Sequence, residues 1–156
     1  MDAHLDLERF LEAQAAGGIY QRATTELRSG RKTSHWMWFV FPQIVGLGQS
    51  ATARHFAISS LEEARAYLDH EVLGPRLIEC ARIVADLEAS TARQVFGELD
   101  AQKLRSSMTL FLRAKPSERL FQLVLDRLFA GQADPMTDAL LAARDATAWP
   151  QGSQPD

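Results

Sequence analysis

Apolar side chains recur three or four residues apart along most of the chain, which is the spacing of an amphipathic helix. Double or single glycines and prolines interrupt this pattern and mark the ends of the predicted helices. No alternating pair of segments is joined by a tight hairpin turn. The pattern predicts an all-α fold, an irregular bundle of about seven to nine helices, with helical segments at 5–16, 19–29, 60–69, 75–87, 90–96, 100–113, 117–130 and 135 onward.

One stretch, residues 34–50, departs from this periodicity because residues 36–41 are apolar on every face. A buried helix and a buried strand both fit such a run, and its aromatic and β-branched content favours a strand. We predict a short helix, with Ser34 as its N-cap and Pro42 at its end. This aromatic helix should form the centre of the core, followed by an irregular loop and a helical turn at 52–56.

Local signals place several helix ends. Ser60 and Glu63 have the spacing of a capping box. Pro75 suits the first turn of a helix, and Asp134 followed by Pro135 is typical of a helix start. We predict a single domain over residues 1–148 and a disordered tail over 149–156.

Composition narrows the classes of function. The chain has 156 residues, a net charge of −3 and a pI of about 5.8, so it lacks the basic character of nucleic-acid-binding proteins. Its local basic cluster, Arg28, Arg31 and Lys32, makes nucleic acid the third choice of partner. The single cysteine, Cys80, cannot form an internal disulfide, and we predict no metal site and no cofactor.

The first residues lack the basic start and apolar run of a signal peptide. The apolar run at 36–41 is too short to span a bilayer. We therefore expect a cytoplasmic protein without a membrane partner, and the sequence leaves the oligomeric state open.

Candidate chemistry lies in two blocks. In the first, His35 stands beside two tryptophans and can act as a general acid or base, or it can bond a backbone carbonyl. Trp36 can stack on a base or sugar, although a core position is the commoner role. Gln43 closes this block with an amide that can contact a ligand.

The second block places Lys103, Ser106 and Ser107 on one helix face, at positions i, i+3 and i+4. Two adjacent serines are poor helix formers. We expect them to grip a phosphate or ribose, to form a nucleophile pair with Lys103, or to allow close helix packing while bonding the preceding turn. Asp100 can orient Lys103, cap its helix or activate water.

Longer motifs resemble a bacterial family of unknown function that often carries the label calpastatin-like. The resemblance rests on two specific blocks, His-Trp-Met-Trp-Phe-Val-Phe-Pro-Gln at 35–43 and Lys-x-x-Ser-Ser-Met-Thr-Leu-Phe at 103–111. It continues in shorter matches at 46–48, 64–68, 73–77, 96–97, 100, 131, 134 and 137, and it implies an all-α fold but no activity.

A more distant likeness connects the chain with the all-α glycosidases that release ADP-ribose from modified bases and nucleotides. It rests on an aromatic helix in the first third and on a later helix with a methionine shortly before a phenylalanine. The likeness assigns no catalytic residue, but it implies a ligand of the nucleotide class.

Two hypotheses of function follow. In the first, the protein binds or hydrolyses a nucleotide or ADP-ribose-type ligand, with His35 or Asp100 as catalytic residue and Trp36, Gln43, Lys103, Ser106 and Ser107 as ligand contacts. In the second, it is a non-enzymatic protein-interaction domain that uses the apolar helix at 120–129.

Overall fold

Two helices joined by a glycine turn begin the fold. The computed structural model describes residues 6–87 and 91–148, the last four by their backbone alone. Helix α1 (Glu8–Ala15) and helix α2 (Ile19–Ser29) are separated by a 3₁₀ turn, Ala16–Gly18. Gly17 and Gly18 have φ angles of 60° and 69°, a region that favours glycine, so the predicted break at this pair is confirmed.

The central aromatic stretch contains helix α3 (Met37–Val40), which confirms a short helix in place of a strand. The predicted N-cap at Ser34 is wrong: Trp36 occupies the cap position without a side-chain cap bond. The Ser34 hydroxyl instead donates to the carboxylate of Glu26, at 2.6 Å. This stronger, charge-assisted acceptor takes the hydroxyl away from the helix end.

An irregular loop follows α3 and leads into helix α4 (Ala51–His55), which the Ser50 hydroxyl caps. Within the described residues the isolated β-bridge is that of Ile44 with Ile58, and both side chains are buried. Gly48 lies so close to Ala53 that a Cβ on the glycine would stand 2.4 Å from the alanine Cβ. The loop is therefore tightly folded against α4.

Helices α5 (Leu61–Asp69) and α6 (Leu73–Asp86) pack as a pair joined by a short corner. Ser60 caps α5 as predicted, by accepting from the Glu63 amide at 3.1 Å. The reciprocal half of the predicted capping box is wrong, because the Glu63 carboxylate accepts from Ser59 and pairs with Arg9 instead. Pro75 lies in the first turn of α6 as predicted.

Helix α7 (Ala92–Ala114) joins the two helices that the sequence predicts at 90–96 and 100–113. Gly97 interrupts it with φ 79° and ψ 167°, so the predicted break survives as a kink. The helix starts at a capping box formed by Thr91 and Gln94. The predicted start at Ser90 lies outside the described residues.

Helices α8 (Leu120–Phe129) and α9 (Pro135–Ala148) complete the bundle. Helix α8 is shorter than the predicted 117–130. It ends at Phe129, and the following residue, Ala130, caps it in the left-handed conformation, at φ 55°. The Asp134 carboxylate accepts from the Thr137 amide at 3.1 Å, which confirms the predicted start of α9. The predicted tail, 149–156, lies outside the described residues.

Aromatic side chains fill the space between the helices. Helix α8 packs against both α6 and α7, and α3 contacts α1, α6 and α7. The all-α prediction, a single domain built around the aromatic stretch, is confirmed. Ring contacts connect the core through Phe10, Tyr67, Phe111 and Phe121, and through Trp36, Phe41 and Phe96.

No helix within residues 6–87 and 91–148 has both the length and the apolarity to cross a membrane.

Candidate functional site

A buried carboxylate on α2 holds the segment that leads into α3. Glu26 is 8% exposed, and its Oε1 accepts from the Thr33 amide, the Ser34 amide and the Trp36 indole, at 2.9, 3.0 and 2.9 Å. Its Oε2 accepts from the hydroxyls of Thr33 and Ser34, at 3.0 and 2.6 Å. The segment 33–36 is thus anchored by five hydrogen bonds to one side chain.

These hydrogen bonds determine the charge state of Glu26. Burial alone would raise its pKa, since a charged group loses hydration in the interior. The donors from Ser34, Thr33 and Trp36 outweigh this effect and lower the pKa of Glu26 to about 2. Glu26 is therefore a fixed negative charge beneath the aromatic block.

The chain returns to Glu26 because Gly30 ends α2 in the left-handed conformation, at φ 78°. Lys32 follows, and its side chain is 6% exposed. The Lys32 ammonium donates to the Ser34 carbonyl at 2.5 Å and contacts the Asp100 carboxylate at 2.7 Å. It also lies 4.9 Å from the centre of the Trp36 ring, within the range of a cation–π contact.

Asp100 connects the two sequence blocks. Its side chain is 24% exposed, and the Lys103 ammonium, one turn further along α7, lies 3.6 Å from its other oxygen. Lys103 is itself 27% exposed. The carboxylate therefore stands between two ammonium groups at the protein surface, and we call Lys32, Asp100 and Lys103 the charged cluster.

The other candidates of the first block are separated by their burial. His35 is exposed and lies between Ser34 and Trp36, which are both bonded to Glu26. Trp36 has no exposed surface, and its indole N–H already bonds Glu26, so its position is that of a core residue. Gln43 is half-buried and, with Trp38, lines a cavity of about 10 Å³, the size of one water.

The two serines of the second block are buried between helices. Ser106 is 1% exposed, and its hydroxyl donates to the Asp134 carboxylate at 2.9 Å and to the Gln102 carbonyl at 3.1 Å. Burial raises the pKa of Asp134, but the bonds from Thr137 and Ser106 more than offset this and lower it. Ser106 therefore fastens the start of α9 to α7.

Ser107 differs from its neighbour, because its hydroxyl is buried and has no hydrogen-bond partner among the described residues. It lies one turn beyond Lys103 on the same face of α7. An orphaned hydroxyl of this kind is uncommon in folded proteins.

The structure therefore brings Asp100 and Lys103 together with the segment that carries His35. Ser106 instead faces α9, and Gln43 faces a small cavity between its own loop and α4. Glu26 and Lys32 were not predicted from the sequence as parts of this arrangement. A signal existed for Lys32, because a left-handed glycine cap at Gly30 turns the following residues back onto their own helix. A lone glutamate in a helix gives no such signal.

Two larger cavities lie on other faces. One of about 450 Å³ is lined by Arg82, Arg119 and Leu123 with their neighbours on α6 and α8. The other, of about 310 Å³, lies beside the Gly97 kink and is lined in part by Arg93 and Phe129. Neither includes a residue of the charged cluster.

Known proteins resemble this chain in sequence and structure. A crystal structure of the "conserved hypothetical protein Rv1873 from Mycobacterium tuberculosis" is 50% identical, with a TM-score of 0.86, over 88% of this chain and 97% of that one. A search of the curated proteins found no match. Neither the name of this structure nor the description of the matching family mentions calpastatin or a glycosidase, so the calpastatin-like label and the glycosidase likeness stay predictions. A family described as "Protein of unknown function (DUF1810)" matches residues 4–141, and the chain belongs to this family.

Proposed function

We propose that the protein binds a nucleotide or ADP-ribose-type ligand at the charged cluster beside His35, and that it hydrolyses an N-glycosidic bond there. One observation carries the proposal: the Asp100 carboxylate is partly exposed between two ammonium groups, at 2.7 and 3.6 Å, and one of them, that of Lys32, bonds the carbonyl of Ser34, the residue before the exposed His35. A carboxylate, a cation and an imidazole are the groups that such a hydrolysis needs.

Each group has a separate role in this proposal. Lys32 is fully engaged with Ser34, Asp100 and Trp36, so it positions the carboxylate. Lys103 is more exposed and has the longer contact to Asp100, which leaves its donors available for a phosphate oxygen. Trp36, Ser106 and Ser107, which the sequence suggested as ligand contacts, are buried and are left out of the site. Gln43 is also left out, because the cavity that it lines includes no residue of the charged cluster.

In the proposed hydrolysis Asp100 is the general base and His35 the general acid. Water attacks the anomeric carbon of the ribose, its oxygen forms the new bond, and its proton passes to the Asp100 carboxylate. The bond from this carbon to nitrogen breaks, and the nitrogen leaves with the electron pair and takes a proton from the His35 imidazolium. Asp100 then returns its proton to solvent, and His35 regains one.

A thermal-shift screen against ADP-ribose and common nucleotides tests this proposal. A ligand at about 100 times its Kd adds roughly 2.7 kcal/mol to the free energy of unfolding. We expect Lys103→Ala to lose the shift and the exposed Lys115→Ala to keep it. Asp100→Asn and His35→Ala should lose the release of the free base and of the phosphorylated ribose, measured by NMR. The absence of any shift across the panel would overturn the proposal.

The alternative function, a non-enzymatic interaction domain, has less support. It depends on an exposed apolar face of α8, and the core positions of that helix, Leu120, Phe121, Val124 and Leu125, are at most 4% exposed. Leu123, 39% exposed beside the 450 Å³ cavity, is the feature that favours it. Light scattering of the purified chain, compared with Leu123→Glu, would reveal self-association through this face.

Nucleic acid remains the third choice of partner. Of its basic cluster, Lys32 is buried against Asp100, and Arg28 pairs with Glu79 at 3.2 Å. This leaves a basic surface too small for the several phosphate contacts that such binding requires. We place the proposed activity in the cytoplasm on the sequence grounds given above.

A further inference from the structure

We propose that Glu26 is a positioning residue for this site: it fixes residues 33–36 so that they hold Lys32 against Asp100. The inference rests on the proposed function for its purpose, because it concerns the same charged cluster. Its physical content, the placement of the Lys32 ammonium, can be measured without a ligand.

The hydrogen bonds around Glu26 require a carboxylate at this position. A carboxylate offers about four lone-pair sites on its two oxygens and no donor. Thr33, Ser34 and Trp36 present five donors to Glu26, two of them backbone amides. An uncharged amide of the same shape would place its NH₂ group against some of these donors, so glutamine cannot replace the carboxylate.

Glu26 also fixes two of the three partners of the Lys32 ammonium. The Ser34 carbonyl, 2.5 Å from the Lys32 ammonium, belongs to a residue bonded to Glu26 through both its amide and its hydroxyl. The Trp36 ring, 4.9 Å from the ammonium, is oriented by its indole bond to Glu26. The third partner is Asp100 itself. Releasing Glu26 should therefore loosen Lys32 while α7 stays folded.

Another buried carboxylate provides a matched control. Glu63 is 2% exposed, accepts from the Ser59 amide and pairs with Arg9 at 3.0 Å. Its partners lie on α1 and before α5, and none of them touches the charged cluster. Glu63→Gln thus removes a buried charge of similar burial from a different part of the molecule.

The lysines of the chain make the test direct, because Lys32, Lys103 and Lys115 are the only ones in the sequence. We would label the full chain with a short pulse of an amine-reactive reagent and quantify each site by mass spectrometry. Lys115 is exposed and Lys32 is 6% exposed, so wild-type Lys32 should react at least about tenfold more slowly. Glu26→Gln should bring Lys32 towards the Lys115 rate, and Glu63→Gln should leave it slow.

Unchanged Lys32 labelling in a folded Glu26→Gln protein would overturn the inference. If that variant does not fold, Ser34→Ala, which removes only the 2.6 Å bond, decides: faster Lys32 labelling supports the inference and unchanged labelling overturns it. A second measurement is the thermal shift with ADP-ribose. Glu26→Gln should lose this shift, and Glu63→Gln should keep it. If labelling responds but wild type shows no shift, the proposed function fails and the positioning of Lys32 stands.

Discussion

At the scale of single residues, neighbouring side chains of the same type have opposite roles. Ser106 gives its hydroxyl to a buried carboxylate on another helix, whereas the hydroxyl of Ser107 has no partner among the described residues. Spacing along the sequence places both on or near the Lys103 face, but it cannot tell which hydroxyl meets a distant acceptor. That depends on where Asp134, almost thirty residues away, is placed by the packing of α9.

This contrast gives a prediction on stability. Ser106→Ala removes a hydrogen bond to a charged, buried group and should lower the free energy of unfolding by about 1.5–3 kcal/mol. Ser107→Ala loses no hydrogen bond and gains helix propensity, so it should change stability by less than about 0.5 kcal/mol or raise it. Urea unfolding at constant m-value measures both. A loss above about 1 kcal/mol for Ser107→Ala would show that a bound water or ligand satisfies its hydroxyl.

The charged cluster was also partly predictable at this scale. Asp100, Lys103 and His35 stand in the two blocks whose polar residues packing alone does not explain, and Lys32 connects Asp100 with Ser34, the residue before His35. Lys32 and Glu26 were not predicted, because their roles depend on the residues that they contact in the folded chain. Their partners lie up to 68 positions away, as with Lys32 and Asp100, and no local pattern records such a pair.

At the scale of elements, turn and cap chemistry predicted most of the helix ends. The glycine pair at 17–18, Ser60 and Asp134 act as their residue types suggest. The failures occurred where a side chain found a better partner: Ser34 bonds Glu26 in place of a helix end, and Glu63 pairs with Arg9 in place of its own cap. Local propensity is overridden when a buried charge needs hydrogen bonds.

The kink in α7 gives the prediction at this scale. Gly97, at φ 79° and ψ 167°, adopts a conformation that is essentially open to glycine alone, whereas Gly30, at φ 78° and ψ 20°, is in the left-handed helical region. A Cβ at either position would meet no atom within 4 Å, so any cost arises from the backbone. Gly97→Ala should lower the free energy of unfolding by about 2–3 kcal/mol and Gly30→Ala by about 1 kcal/mol.

Thermal and urea unfolding of the two variants would measure this difference. Equal costs would mean that α7 can relax its kink in solution, so that Gly97 no longer needs the unusual angles. Such relaxation would also move Asp100 and Lys103, which follow the kink by one to two turns, and the Lys103 labelling rate would report it.

At the scale of the whole molecule, a buried polar network holds the aromatic helix between the outer helices. Gln14 on α1 is 1% exposed, and its amide donates to the Phe39 carbonyl at 2.8 Å and to the Tyr67 hydroxyl at 3.2 Å. The Tyr67 hydroxyl also donates to the Phe39 carbonyl, at 3.3 Å, and Arg76 donates to the Gln14 oxygen at 3.1 Å. Helices α1, α3, α5 and α6 meet at this point.

The apolar periodicity of the sequence anticipated the surroundings of this network but not its polar centre. Phe10 and Tyr67 have the helical spacing of core residues and are fully buried. Gln14 lies on the same face of α1 as Phe10, four residues on, yet a glutamine there is ordinarily assigned to solvent. The buried amide is favourable at this position because it finds partners for both its ends: the Phe39 carbonyl and the Tyr67 hydroxyl accept from its nitrogen, and Arg76 donates to its oxygen.

A double-mutant cycle on this network gives the prediction for the whole fold. Gln14→Leu should lower the free energy of unfolding by about 2 kcal/mol and Tyr67→Phe by about 1 kcal/mol, because each leaves the Phe39 carbonyl one side-chain donor. The double variant leaves this carbonyl neither donor, so its cost should exceed the sum by about 1–2 kcal/mol. Additivity within about 0.5 kcal/mol would mean that water replaces the missing donors, and that apolar packing alone fixes α3. The same variants, labelled as described for Glu26→Gln, should leave Lys32 slow to react, because its partners Ser34 and Trp36 bond Glu26 and neither Gln14 nor Tyr67.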